Sequence, residues 1–299
     1  MTRELVLVHG RSQQLKDPAA LKATWLKALA EGLAKSNLTL PIADDHVHFP
    51  FYGDALIGLM KGMDPADAAK VVVKGEDAAT EEEQFFADVI EEVRTKKRIS
   101  AKQVLAVADQ QSLERGVRNW GWVQAILEVV DEKVPGASGL TISLATKDVY
   151  EYLVTQSIRD EIDEGVASAF TPGAETVVVS HSLGTVVALK VLRRYGDCDG
   201  WVVPQMVTVG SPLGISRIRR EFSVPRWPQC LGGWFNAMDP RDVVALRPLT
   251  PKYFNVGDEH AIVNRTTVEN STANRHGISG YLDDKATAKR IYDALTADD

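Results

Sequence analysis

The chain has 299 residues, 44% of them hydrophobic and 25% charged, an ordinary balance for a globular protein with enough apolar side chains for a sizeable core. Its formal net charge is −7, and this acidity argues against nucleic acid and anionic membrane surfaces as partners, because both require a basic footprint. The two cysteines, Cys198 and Cys230, provide neither a disulfide framework nor a metal-ligand spacing, so a reducing compartment is the simpler interpretation.

The amino-terminal residues enter an apolar segment that is not preceded by a basic region and a long hydrophobic stretch, so we expect no secretory signal. No apolar run approaches the roughly 20 residues that a membrane-spanning helix needs, so we expect no stable membrane insertion. Together these features predict a soluble, cytoplasmic protein.

The first predicted strand is the apolar run Leu5–Val8, which has the length of a central parallel strand. It is followed by His9-Gly10-Arg11, where the glycine allows the chain to turn sharply. A helix is predicted over residues 17–35, because a proline stands near its start and apolar residues recur on one face.

The second predicted strand is His46–Phe49, in which two histidines alternate with apolar residues and therefore share one face. Two histidines without a further ligand at a suitable spacing make a poor metal site. A structural role is the favoured interpretation of His46 and His48.

Residues 54–146 are polar and alanine-rich, with helical apolar patterns around Phe85–Val93 and Trp122–Val130. Neighbouring parallel strands need only one crossover helix, and Asp148–Phe170 can supply it. The preceding segment is therefore predicted to be a helical insertion that caps the site, with its charge clusters on solvated faces.

The most informative stretch lies between a predicted buried strand, Val177–Val179, and a predicted buried helix over residues 185–192. The turn between them reads Ser180-His181-Ser182-Leu183-Gly184. Small residues on both sides of Ser182 let strand and helix approach closely, and the helix start offers unpaired N–H groups to a developing anion. An ordinary strand–helix junction with Ser182 as the helix N-cap is the alternative. His181 is expected to pack or to line the pocket.

Two further strands are predicted after this turn. Met206–Val209 ends in the sequence Gly-Ser-Pro-Leu, and Trp234–Met238 ends just before Asp239 and Asp242.

The Ser-His-Ser-Leu-Gly turn resembles the nucleophile elbow of the α/β-hydrolase superfamily, in the variant with Ser at the first position. The strand ends His-Gly-Arg and Gly-Ser-Pro-Leu extend the resemblance to bacterial lipase-like serine esterases, over roughly residues 1–54 and 146–299. The resemblance implies a single α/β-hydrolase domain over residues 1–299, with a mainly parallel, doubly wound sheet that lacks the usual antiparallel first pair. It also implies an oxyanion hole formed by the backbone N–H groups of Arg11 and Leu183.

A serine hydroxyl at neutral pH needs a histidine to take its proton and an acid to orient that histidine. In α/β-hydrolases the acid and then the histidine follow the serine along the chain, which leaves as candidates Asp239, Asp242, Asp258, His260 and His276. Similar lipase-like sequences place the acid in an Asp-x-Val-Pro-type turn, which Asp242 matches except that Ala245 replaces the proline. This favours Asp242 over Asp239, whose other role would be to hold the loop. The segment His-Gly-Ile-Ser-Gly-Tyr-Leu resembles the catalytic histidine loop, so the implied triad is Ser182, Asp242 and His276.

The implied reaction is hydrolysis of a carboxylic ester, of a small molecule or a lipid, through an acyl-enzyme and without a metal or a cofactor. The same three residues would also serve a thioesterase, an amidase or an acyltransferase. A binding module on a hydrolase scaffold that has lost the chemistry is an alternative of a different class. The sequence indicates no oligomeric state.

Overall fold

The computed structural model describes residues 3–10, 17–52, 80–108 and 120–297. Its strands are β1 (Glu4–Val8), β2 (Val47–His48), β3 (Thr176–His181), β4 (Met206–Val209), β5 (Trp234–Ala237) and β6 (Val263–Arg265). Its α-helices of four or more residues are α1 (Pro18–Ala34), α2 (Glu81–Lys96), α3 (Ala101–Leu105), α4 (Trp120–Lys133), α5 (Gly139–Val154), α6 (Gln156–Ala167), α7 (Leu183–Val191), α8 (Ser216–Arg220), α9 (Ser279–Leu282) and α10 (Lys285–Thr296). A π-helical turn, Leu192–Gly196, continues α7. None of the helices in these ranges is long and apolar enough to cross a bilayer.

The six strands form one sheet in the order β2-β1-β3-β4-β5-β6, and every neighbouring pair is parallel. Successive side chains of a strand point to opposite faces, and β3 follows this rule. Val178 packs into a hydrophobic cluster on one face, while Val177 and Val179 pack into a cluster on the other. Helices therefore cover both faces, and the α/β class with a parallel sheet is confirmed, in a form compatible with a doubly wound fold.

A row of polar side chains crosses the buried sheet at one register level. Thr208 donates to Asn236 Oδ1 at 2.9 Å, and Asn236 donates from its amide to Asn264 Oδ1 at 3.0 Å. Thr208 also accepts from the indole of Trp234 at 2.9 Å. Buried polar groups of this kind must be satisfied, so the row holds β4, β5 and β6 in register.

The predicted crossover helix over Asp148–Phe170 is wrong in its extent, because the structure has two helices, α5 and α6, separated by Thr155. Thr155 is extended, with φ −84° and ψ 104°. The Arg159 guanidinium donates to the carbonyl of Leu153 at 2.8 Å and so satisfies a group that the end of α5 leaves free. Leu153 and Ile158, on either side of Thr155, are both buried. The apolar face therefore continues across the break, and the sequence pattern does not indicate that the helix ends there.

The second strand is also shorter than predicted, because a 3-10 turn, Asp44–His46, precedes it. The carboxylate of Glu4 on β1 accepts from His46 Nδ1 at 3.0 Å and from His48 Nε2 at 2.8 Å. Within the described ranges there is no group of three or more histidine, cysteine or acidic side chains that could hold a metal ion.

The described part of the predicted insertion shares a hydrophobic core with one face of the sheet. Phe85, Val89 and Ile126 belong to the same hydrophobic cluster as Val178 and Met206 of the central strands. Residues 53–79 and 109–119 lie outside the described residues, so the predicted cap over the site stays a prediction.

Candidate active site

Ser182 stands on a sharp turn between β3 and α7, at the carboxyl edge of the sheet. Its backbone has φ 54° and ψ −127°, a positive φ that few residues other than glycine adopt. A Cβ on Gly184 would lie 2.3 Å from the carbonyl oxygen of Val8 and 2.5 Å from that of His9, so only glycine fits there. A Cβ on Gly10 would lie 2.7 Å from that of Ser182. The turn is thus pressed against the end of β1.

The structure brings Ser182, His276 and Asp242 together in one chain of hydrogen bonds. Ser182 Oγ donates to His276 Nε2 at 2.8 Å, and His276 Nδ1 donates to Asp242 Oδ2 at 2.7 Å. All three side chains are buried. With Nδ1 protonated towards the carboxylate, Nε2 is free to take the serine proton, which is the arrangement that nucleophilic catalysis requires.

Asp242 is held as an anion by three donors. Its Oδ2 accepts from His276 and from the Tyr281 hydroxyl at 2.6 Å, and its Oδ1 accepts from Val244 N at 2.7 Å. Complete burial raises its pKa, but the charge of His276 and these hydrogen bonds outweigh burial, so the pKa lies below its usual value. A buried anion suits the task of orienting His276.

The other acid and base candidates are occupied elsewhere. Asp239 is buried, but its carboxylate accepts from the Arg241 side chain at 2.8 Å and from Asn270 N at 2.8 Å, so it holds the loop. Asp258 is exposed, and His260 is exposed and stacks on Trp227 with ring centroids 4.6 Å apart.

His181, the neighbour of Ser182, packs against His276, which agrees with the expectation that it packs or lines the pocket. Its Nε2 donates to the carbonyl of His276 at 2.8 Å, and the two ring centroids are 4.8 Å apart. Burial and the nearby charge of His276 lower the pKa of His181 to about 3, so its ring stays neutral. It therefore fixes the backbone of the histidine loop without competing for the serine proton.

His9 fixes the turn after β1 in a similar way. Its Nδ1 donates to Gly10 O at 2.6 Å, and its Nε2 accepts from Tyr52 N at 3.2 Å, which defines the neutral tautomer. Burial lowers the pKa of His9 to about 4, although the hydrogen bond to Gly10 opposes the shift. The ring also stacks on that of Tyr52, with centroids 3.9 Å apart.

Of the two predicted oxyanion donors, Leu183 lies among the described residues and Arg11 does not. Leu183 is the first residue of α7, so its N–H has no acceptor within the helix and belongs to the positive end of the helix dipole.

Two residues of the site were missed by sequence reasoning. Tyr281 bridges the acid loop, since its hydroxyl donates to Asp242 and accepts from Asp239 N at 3.3 Å. Lys97 donates from its ammonium to the carbonyl oxygens of Pro240, Arg241 and Asp242, at 3.1, 3.1 and 3.4 Å. No local signal marks Lys97, whereas Tyr281 lies in the histidine-loop motif, where nothing in the sequence indicates that its hydroxyl contacts the acid.

The chain matches no protein-family model, no curated protein and no solved structure. Its own motifs and the geometry of the buried Ser182 site are therefore what a functional assignment rests on.

Proposed function

We propose that the chain is a serine hydrolase of the α/β-hydrolase type that cleaves carboxylic esters. The observation that carries the proposal is the continuous hydrogen-bond chain from Ser182 Oγ through His276 to Asp242, with links of 2.8 and 2.7 Å. A buried serine that served only as a helix N-cap would need no histidine on its hydroxyl and no buried carboxylate behind that histidine.

In the first half of the reaction Ser182 Oγ attacks the acyl carbon of the ester while its proton passes to His276 Nε2. The oxyanion of the tetrahedral intermediate is stabilised by the N–H of Leu183 and by the dipole of α7. His276 then returns the proton to the oxygen of the leaving alcohol, the ester C–O bond breaks, and the acyl group remains on Ser182.

In the second half a water molecule gives a proton to His276 and attacks the acyl-enzyme. The second tetrahedral intermediate collapses with the proton returned to Ser182 Oγ, and the carboxylic acid leaves. Asp242 keeps its charge throughout and stabilises the imidazolium form of His276 in both halves.

The test is intact-mass measurement after reaction with a fluorophosphonate probe, which forms a bond only with an activated serine. We expect one adduct on the wild-type protein and none on Ser182→Ala. The control is Ser211→Ala, because Ser211 also follows a central strand but its hydroxyl lies 2.8 Å from Thr185 Oγ1 and not on a histidine. That variant should be labelled like the wild type.

A folded wild-type protein that takes up no probe would contradict the proposal, as would an adduct that persists in Ser182→Ala. Where labelling occurs, hydrolysis of p-nitrophenyl esters of increasing acyl length defines the substrate class. The absence of ester turnover by a labelled protein would redirect the assignment to thioesters, amides or acyl transfer.

A further inference from the structure

A cleft of about 340 Å³ lies at the far end of the helix that follows Ser182. Lys190 stands in the last turn of α7, and Arg193 and Arg194 belong to the π-helical turn after it. At 1.5 Å per helical residue, Lys190 is ~12 Å along the helix from Ser182. The cleft is therefore separate from the candidate active site.

The lining of this cleft is strongly cationic in a chain whose net charge is −7. Five basic side chains meet there against two carboxylates; the charged lining residues are Arg159, Lys190, Arg193, Arg194, Arg226, Asp163 and Glu221. The remaining wall is formed by Phe222 and Ser223, and the Lys190 ammonium lies 5.6 Å from the Phe222 ring centroid.

Both carboxylates already have other donors. Asp163 is buried and accepts from the Tyr152 hydroxyl at 2.6 Å, with Arg194 at 3.4 Å from its other oxygen. Glu221 accepts from Arg217, which does not line the cleft.

Three of the cations have no such partner. Within the described part of the chain, Lys190, Arg193 and Arg226 form no ion pair. Burial lowers the pKa of Lys190, and the charges of Arg159 and Arg193 lower it further, while Asp163 and Glu221 oppose the shift without cancelling it. Burial and the charge of Arg226 likewise lower the pKa of Arg193, against the opposing charge of Asp197. These like charges repel one another at partly desolvated positions, which an anion in the cleft would relieve.

Helix-dipole complementarity does not account for the whole cluster. Lysine and arginine side chains do stabilise the C-terminal end of a helix, and Lys190, Arg193 and Arg194 stand at such an end. Arg159 comes from α6, however, and Arg226 from the loop after α8. Side chains from three separate segments thus converge on one concave surface.

We propose that this cleft is a binding site for a phosphorylated small molecule carrying at least two negative charges. Guanidinium groups bind phosphate oxygens in pairs, and the volume exceeds that of a single phosphate and is in the range of small-ligand sites. The phosphate group comes either from a soluble molecule or from the headgroup of a lipid, and the two sources are separated by experiment.

The test uses the full chain and titration calorimetry with inorganic pyrophosphate, at low and at raised salt. The cleft variant is Arg193→Gln/Arg226→Gln, and the matched control is Lys27→Gln/Lys133→Gln, which removes two exposed cations outside the cleft. We expect pyrophosphate to bind the wild type and the control alike, and to bind the cleft variant about tenfold or more weakly. Binding should weaken as salt rises.

Co-sedimentation with phosphatidylcholine vesicles, with and without phosphatidic acid, tests the lipid source. Sedimentation that requires phosphatidic acid and is lost in the cleft variant assigns the site to a lipid headgroup, and pyrophosphate binding without sedimentation assigns it to a soluble ligand. Failure of both ligands to bind the wild type overturns the proposal, as does equal binding by the cleft and control variants. The Tm of each unliganded variant checks the fold, and none of these readouts depends on Ser182 being a nucleophile.

Discussion

Replacing Tyr281 by phenylalanine removes one hydroxyl from the acid loop and leaves the aromatic ring in place. That hydroxyl donates to Asp242 Oδ2 at 2.6 Å in a fully buried setting. Burial and the charge of Asp242 raise the pKa of Tyr281 well above its usual value, so the group is a donor at every ordinary pH. A hydrogen bond to a charged group contributes about 1.5–3 kcal/mol, and we expect Tyr281→Phe to lower the free energy of unfolding by about 2 kcal/mol at pH 7.

The pH dependence of this loss follows from the lowered pKa of Asp242. A carboxyl whose folded pKa is depressed adds stability above its unfolded pKa, near 3.8, and this stability is lost as pH falls through the folded value. Burial alone would raise the folded pKa; His276, the Tyr281 hydroxyl and the Val244 N–H lower it, so removing the hydroxyl moves it upwards. The difference between wild type and variant should therefore shrink below pH 3.8 to about 1 kcal/mol, the contribution of a neutral hydrogen bond.

Urea unfolding of both proteins at a series of pH values measures this difference. Tyr292→Phe is the matched control, because it removes a hydroxyl from a tyrosine of α10 that lies outside the acid loop. The free energy of unfolding of this control variant should differ little from that of the wild type at any pH. A Tyr281→Phe loss no larger than that of the control, or one that does not change with pH, would refute the role assigned to the hydroxyl.

Two further substitutions test the scaffold of the site. Gly184→Ala places a Cβ 2.3 Å from the Val8 carbonyl oxygen, so we expect urea unfolding to show a free energy of unfolding lower by about 3 kcal/mol, together with slower probe labelling. The control is Gly165→Ala, where no atom lies within 4 Å of the added Cβ and the free energy of unfolding should rise by about 0.5–1 kcal/mol. Asn236→Ala removes the nearer acceptor of the buried Thr208 hydroxyl and leaves it only the Phe235 carbonyl oxygen at 3.4 Å. The same assay should show a loss of about 1–2 kcal/mol, while labelling per folded molecule stays unchanged, and unchanged stability would contradict the register role of the polar row.

The central strands and the turn at Ser182 could be predicted because their signals are local. The valine run of β3 is buried on both faces, and its composition favours a buried strand without reference to the rest of the chain. The small residues around Ser182 likewise mark the turn locally, although the contact that makes Gly184 necessary, with the end of β1, is a tertiary one. The choice between Asp239 and Asp242 was harder, because both follow β5 and both are buried. What separates them is the partner each one meets: Asp239 accepts from the Arg241 side chain and from the backbone N–H of Asn270, whereas Asp242 accepts from the ring of His276. Asn270 and His276 are both brought in by the fold, which a local sequence pattern does not report.

The break at Thr155 could not be predicted for the opposite reason. Threonine is tolerated in helices, and the buried positions on either side keep helical spacing. The break is recognised by a tertiary feature, the Arg159 guanidinium on the Leu153 carbonyl, that no periodicity reports. Helix ends satisfied by a side chain from the next helix are therefore the weakest point of a pattern-based prediction.

Lys97 changes how the segment before α5 is understood. Three successive carbonyl oxygens of the acid loop, residues 240–242, point at its ammonium, and an ammonium has three protons to donate. Burial lowers the pKa of Lys97, while the charge of Asp242 opposes that shift. A lysine held this way is part of what orients Asp242 towards His276. Helix α2 and Lys97, which directly follows it, thus help to hold the acid loop. A shortened chain without them would leave three carbonyl groups of that loop without the Lys97 donor.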